Sequence, residues 1–204
     1  MSENAATSGL VGSGVMHPHG LHRLLHPVWF VPVHATLARL VAVRAGERVI
    51  DVGAGTGALS KRLVRSGATV ICLEPDAGSL AAARHRLDGE HGEFIQDSVE
   101  HIPLPDASVD AVVASVTAHH WTDQDGGFAE LFRVIRPGGR VVLAEFKSSG
   151  PLLRRLRRLA GSKHANAPSL EDWRARLERA GFDEVGTGRG GWVRGFALFI
   201  VAVR

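Results

Sequence analysis

Two adjacent histidines and a tryptophan, His119, His120 and Trp121, close the stretch "AVVASVTAHHW". The apolar run before them reads as a buried strand, so the imidazoles stand where that strand opens into a loop. Histidine exchanges a proton near neutral pH, which suits it to act as a general base on an acceptor hydroxyl. Either His119 or His120 is the candidate base, and Trp121 is a candidate wall of the acceptor pocket. Packing or capping of the loop is the plainer alternative for both rings. Glu145 ends a later apolar run, "GRVVLAEF", on the same edge of a parallel sheet. It is placed either to orient a histidine or to take the proton itself.

A second constellation precedes the first. "VIDVGAGTGALS" sets Gly53, Gly55 and Gly57 between an apolar run and a helix-like stretch. Glycines there let a backbone approach a ligand, and the helix start offers unpaired N–H groups. Asp51 decides more than the glycines do. A carboxylate beside a dinucleotide's pyrophosphate would repel it by roughly 4 kcal/mol at 4 Å and an effective dielectric of 20. The same carboxylate attracts a cation, so S-adenosylmethionine, with its ammonium and sulfonium groups, suits the turn better than NAD. Glu74 falls 21 residues after Gly53, where an acid accepts from both hydroxyls of a ribose. Asp97 ends the third run and is placed to accept from an adenine amino group, with Ser98 and Val99 bordering the ring.

These residues need a scaffold that brings strand ends together. From Glu47 onward, "ERVIDV", "TVICLE", "GEFIQD", "VDAVVAS" and "GRVVLAEF" alternate with helix-like stretches, the pattern of a parallel sheet with crossover helices. The helix "GGFAELFRVIRPGG" is predicted to stop at Pro137 and Gly138. "SLEDWRARLERAGF" begins with a capping box formed by Ser169 and Asp172 and lines Leu170, Trp173, Leu177 and Ala180 on one face. "DEVGTG" and "GWVRGFALFIVAVR" then read as two closing strands antiparallel to the rest. The expected fold is α/β, a single-domain Rossmann-like doubly wound sheet, mostly parallel, with an antiparallel C-terminal strand. Residues 1–44 are expected to form a leader and helical lid, and residues 45–204 the core.

A chain of 204 residues suits one domain that buries roughly 70% of its unfolded surface. No uninterrupted apolar run reaches the roughly 20 residues needed to span a bilayer. The start, "MSENAATSGLVGSGV", lacks a basic stretch and an apolar core, so the expected location is the cytoplasm. Cys72 is the sole cysteine and lies within an apolar run, which leaves neither a disulfide framework nor a thiolate metal site. The net charge of +3 comes without basic runs interleaved with aromatics, so no nucleic-acid partner is expected.

Four successive motifs, "VIDVGAGTG", "LEPD", "IQDSVEHIPLPDASVDAVVAS" and "LFRVIRPGGRVVLAEF", resemble those of class I S-adenosylmethionine-dependent methyltransferases, in particular the small-molecule, UbiE-like branch. The resemblance runs over roughly residues 45 to 147. It implies that Asp51, Gly53, Gly55 and Gly57 surround the methionine part of the cofactor, with Ser115 beneath its methionine end. It implies also that Glu74 holds the ribose with Pro75 beside it, and that Asp97 and Ser98 hold the adenine.

Two segments lie outside the resemblance. "MHPHGLHRLLHPVWF" pairs His22 and His26 at helical spacing, but no carboxylate stands nearby to complete a metal site. It reads as a lid whose apolar face includes Trp29, with His22 reaching the cofactor or the substrate, and no metal is expected. In "PLLRRLRRLAGSKHANAPS" leucines alternate with arginines at helix spacing, the pattern of a packed surface helix. The expected activity is methyl transfer from S-adenosylmethionine to a hydroxyl of a small molecule, a sugar or a natural-product phenol. The alternatives are C-methylation of a quinone-like ring and a fold relative that binds the cofactor without methylating. The expected partner is the small-molecule acceptor; no stable membrane insertion is expected, and a homodimer is compatible with the sequence.

Overall fold

The computed structural model describes residues 19–88, 90–146, 168–189 and 197–204, with the backbone alone for residues 19–29. The order of elements is α1 (His19–Val41), β1 (Arg48–Val52), α2 (Ser60–Leu63), β2 (Thr69–Leu73), α3 (Ala77–Arg86), β3 (Gly92–Ile95), β4 (Val109–Ser115), α4 (Gln124–Val134), β5 (Ile135–Phe146), α5 (Leu170–Ala180), β6 (Asp183–Thr187) and β7 (Ala197–Val203). The leucine–arginine segment after β5 falls outside the described residues, as does His17.

The seven strands form one sheet in the order β3-β2-β1-β4-β5-β7-β6. β1 pairs in parallel with β2 and β4, β2 with β3, and β4 with β5. Of the two closing strands only β7 opposes the set: it pairs antiparallel with both β5 and β6, so β6 runs with the parallel strands. Two consecutive strands joined as neighbours oppose each other, and only one of them can then oppose the rest of the sheet.

Side chains alternate across the sheet and divide the core into two layers. Val49 and Cys72 face α1, α2 and α3, where Val33, Leu37 and Val41 of α1 are buried at helical spacing. Ile50, Val52, Val112 and Leu143 face α4 and α5, where Phe128 and Trp173 are fully buried edge to face with ring centroids 6.1 Å apart. Truncating either aromatic to alanine would cost about 3–5 kcal/mol.

α5 carries the capping box expected from its sequence, with Ser169 accepting from the Asp172 amide and Asp172 accepting from that of Ser169. α4 ends earlier than expected, at Val134. Ile135 already pairs with Val109 of β4, and the register then shifts so that Ala111 faces Arg140. Pro137 and Gly138 therefore lie in a bend within β5 rather than at a helix end.

The lower end of α1 is fastened from β5. Arg140 donates to the Val41 and Ala42 carbonyls and pairs with Glu47 at 2.7 Å. No helix among the described residues is long and apolar enough to cross a membrane.

Candidate active site

The sheet order reverses between β1 and β4: the chain winds outward from β1 through β2 and β3, and from β4 through β5. Ligands of such sheets bind at the carboxyl ends of the strands flanking that switch. The loops after β1, β2, β3 and β4 line a cavity there of about 250 Å³.

The glycine turn meets it at Gly53. The Gly53 and Ala54 amides donate to the Leu73 carbonyl at 2.8 and 3.2 Å, which ties the turn to β2. Gly53 adopts φ +64°, and a Cβ on it would stand 2.9 Å from the Thr117 Cβ, so this position excludes any side chain twice over. Gly55, at φ +54°, has open space where a Cβ would stand, and its amide donates to Glu74 Oε2 at 2.9 Å. Gly57 packs closely against Ala83 of α3. The second oxygen of Glu74 accepts from the Asp76 amide at 3.0 Å.

Asp51 occupies a place that its sequence position does not reveal. It shares the face of Val49, so its carboxylate points beneath the turn, is 1% exposed, and accepts from the Ser60 hydroxyl at 2.6 Å. Cys72 lies against the same hydroxyl at 3.3 Å. Burial pushes the Asp51 carboxyl up to about 7, against the pull of the Ser60 hydrogen bonds. It does not line the cavity.

Of the residues singled out from the sequence, Gly53, Pro75, Asp97, Ser98, His120 and Trp121 meet in the cavity wall. Asp97 accepts from the Ser98 amide at 2.8 Å and lies 2.7 Å from His101 Nδ1. That histidine holds the Asp97 carboxyl below its ordinary range, and the carboxylate raises the imidazole in turn. Ser115 lies at the end of β4, and its buried hydroxyl has no hydrogen-bond partner among the described residues.

The turn after β4 separates the two histidines. Val116 is held at φ +55°, unusual for a β-branched residue, and its amide donates to Ala144 at 2.7 Å. A short 3-10 turn, Ala118–His120, follows. Glu145, 2% exposed, accepts from the Ala118 amide at 2.8 Å through one oxygen and lies 2.8 Å from His119 Nδ1 through the other. His119 thus turns toward β5, whereas His120 reaches the cavity; their ring centroids lie 3.9 Å apart with the planes tilted by 42°. Trp121 packs edge to face on Phe128 at 5.1 Å.

Thr117 and Glu100 also line the cavity, and neither was singled out from the sequence. Thr117 gives no local signal, because its importance lies in meeting Gly53 across the sheet. His101 gives one, the i, i+4 spacing from Asp97. His22 and Trp29 lie in the part of α1 whose side chains are outside the described residues.

The family described as a methyltransferase domain matches residues 50–143, the span from the middle of β1 into β5. Over this span the chain is similar to class I S-adenosylmethionine-dependent methyltransferases. The chain is similar to a demethylmenaquinone methyltransferase of Clavibacter sepedonicus, 41% identical over 119 residues, which are 57% of this chain and 49% of the relative. It is similar also to the ubiquinone/menaquinone biosynthesis C-methyltransferase UbiE of Hahella chejuensis, 38% identical over 54% of this chain and 48% of the relative. The chain spans about half the length of these curated relatives. A solved S-adenosylmethionine-dependent methyltransferase from Aquifex aeolicus shares the fold with a TM-score of 0.69 at 20% identity, covering 91% of this chain and 97% of that one.

The cofactor of this domain class is S-adenosylmethionine, and the residues present fit it. The open space above Gly55 and the buried, unpartnered Ser115 hydroxyl are both features that a ligand laid across the turn would use.

Proposed function

We propose that this chain transfers a methyl group from S-adenosylmethionine to a hydroxyl of a small molecule, with His120 as general base. The observation that carries the reading is the cavity at the switch point, which joins the glycine turn and Asp97 to His120 and Trp121. In this reading the turn from Gly53 to Gly57, with Asp51 beneath it and Ser115 beside it, receives the methionine part. Glu74 keeps lone pairs beyond its two amide bonds for the ribose, with Pro75 alongside, and Asp97 and Ser98 take the adenine.

The cofactor supplies a methyl carbon on a positive sulfur, which leaves as a neutral thioether when the acceptor's lone pair displaces it in line. The protein's part is to align that lone pair, take the proton and exclude water. His120 takes the hydroxyl proton while Trp121 walls the acceptor. His119 and Glu145 hold the turn that carries both.

In this reading α1 belongs to the cap of the acceptor side, and His22 and Trp29 are the residues proposed to meet the substrate. The length of α1 supports this. Its 23 residues extend over ~34 Å, whereas the five-residue strand β1 spans about 17 Å. With Val41 fastened near the amino ends of the strands, the start of α1 projects past their carboxyl edge.

C-methylation of a quinone-like ring is the second reading, favoured by the relatives' names. A phenolate formed by the same base carries nucleophilic character on a ring carbon, so the same histidine serves both outcomes. Incubation with methyl-labelled S-adenosylmethionine and a panel of sugars, phenols and quinols tests the proposal. Label on an acceptor oxygen supports the first reading, label on a ring carbon the second, and no transfer to any member refutes both.

A further inference from the structure

Glu100 joins two parts of the cavity that the chain keeps apart. It follows Asp97 and Ser98 on the loop after β3, and its Oε1 accepts from the Thr122 and Asp123 amides at 2.8 and 3.2 Å, in the loop that carries Trp121. The Ser98 hydroxyl adds to the pull on the same carboxylate, and Glu100 itself lines the cavity. Burial works against its charge; the amides and the Ser98 hydroxyl outweigh that and hold the carboxyl below its ordinary range. The side chain is therefore an ionised bridge from the adenine side to the acceptor side. The neighbouring acids are engaged elsewhere: Asp97 turns to His101, and Asp123 caps α4 through Gly126.

We infer that Glu100 is a positioning residue that couples the two halves of the site, so that filling the adenine side orders the Trp121 loop that receives the acceptor. The inference rests on the cofactor reading above. A ligand seated against Asp97 and Ser98 immobilises the backbone that carries Glu100. Glu100 then loses fewer rotamers when it grips the Thr122 and Asp123 amides, and the grip tightens. The acceptor wall is assembled best when the methyl donor is already in place.

Hydrogen exchange of the full chain, with and without S-adenosylhomocysteine, reads this directly. In the unaltered protein the ligand should slow exchange both at residues 53–57 and at residues 118–127, the latter about threefold to tenfold, the range for one or two hydrogen bonds. In Glu100→Ala the slowing at 53–57 should persist and that at 118–127 should vanish. Glu100→Asp keeps the charge but falls short by one methylene, so it should uncouple as alanine does. Glu100→Gln keeps the length and an acceptor oxygen, and should restore most of the effect. Slowing at 118–127 that survives in both the alanine and aspartate variants overturns the inference, as does slowing confined to 53–57 in the unaltered protein. Absence of slowing anywhere in the unaltered protein overturns the cofactor reading itself, and this inference with it.

Discussion

The His119 ring and the Glu145 carboxylate meet at 2.8 Å at the carboxyl ends of β4 and β5, and the other oxygen of the same carboxylate takes the Ala118 amide. One buried acid thus fixes two consecutive residues of the turn. The arrangement divides the histidine pair: His119 belongs to the clamp and His120 to the cavity.

Removing the clamp should cost stability before it costs chemistry. Glu145→Ala takes the acceptor from two buried donors, at about 1–3 kcal/mol each, so a loss of about 2–6 kcal/mol is expected in urea denaturation. Glu145→Gln retains an acceptor and should lose less. Equal stability of the alanine variant and the unaltered protein would contradict the clamp.

His120→Ala should lower kcat by about 10²- to 10⁴-fold and leave S-adenosylhomocysteine affinity within about threefold, because a base acts in the transition state. His119→Ala should lower kcat less and lower thermal stability more. With the unaltered protein, kcat/KM should rise with pH as the base loses its proton, and the rising limb should be absent from the His120 variant. A rising limb that survives in that variant moves the base elsewhere, Glu145 being the next group in line.

The glycine turn offers a graded comparison. Gly53→Ala meets both a left-handed φ and the Thr117 side chain, and should destabilise the fold by about 2–4 kcal/mol. Gly55→Ala meets the φ alone, with a cost near 1 kcal/mol, and its new methyl would enter the ligand's space. It should weaken S-adenosylmethionine binding by more than its small loss of stability suggests. Calorimetry and denaturation of the two variants together decide the point.

Asp51 should leave a signature in the pH dependence of folding. Its carboxyl is raised from 3.8 to about 7 by burial, so between those pH values the folded chain holds a proton that the unfolded chain has released. Stability from this group is therefore lost as pH rises through that window. Above pH 7 the loss is complete, about 4 kcal/mol at 1.36 kcal/mol per pH unit. Asp51→Asn, which cannot ionise, should gain on the unaltered protein from pH 5 to pH 8. Parallel stability curves for the two proteins would show that the buried carboxyl titrates as an ordinary one.

The sheet was legible because its strands are short β-branched runs, and the glycine turn because only glycine tolerates the left-handed positions it contains. Glu74, Asp97 and Glu145 were readable as strand-end acids for the same reason: a strand's end can be counted. Which way such an acid points cannot. Asp51 turns under the loop because of the pleat, and Ser60 receives it there. Thr117 and Glu100 escaped notice because each works through a partner from another loop, Gly53 for one and the Thr122 amide for the other. The end of α4 was misplaced by the prominence of Pro137, when Ile135 was already needed by β4.

Val116 is held in a left-handed conformation that its branched side chain disfavours by about 1–3 kcal/mol. A joint made with glycine would swivel; this one has a single seat, fixed by the Ala144 carbonyl behind it and the Glu145 clamp after it. The course of the backbone at Thr117 and Ala118 is thus part of the folded state before the Trp121 loop is ordered, and an acceptor that arrives misaligned there must itself adjust. Val116→Gly should then give a protein that folds at least as firmly and accepts a wider set of substrates, each turned over more slowly. Selectivity in this site would reside in the stiffness of one backbone angle as much as in the shape of a pocket.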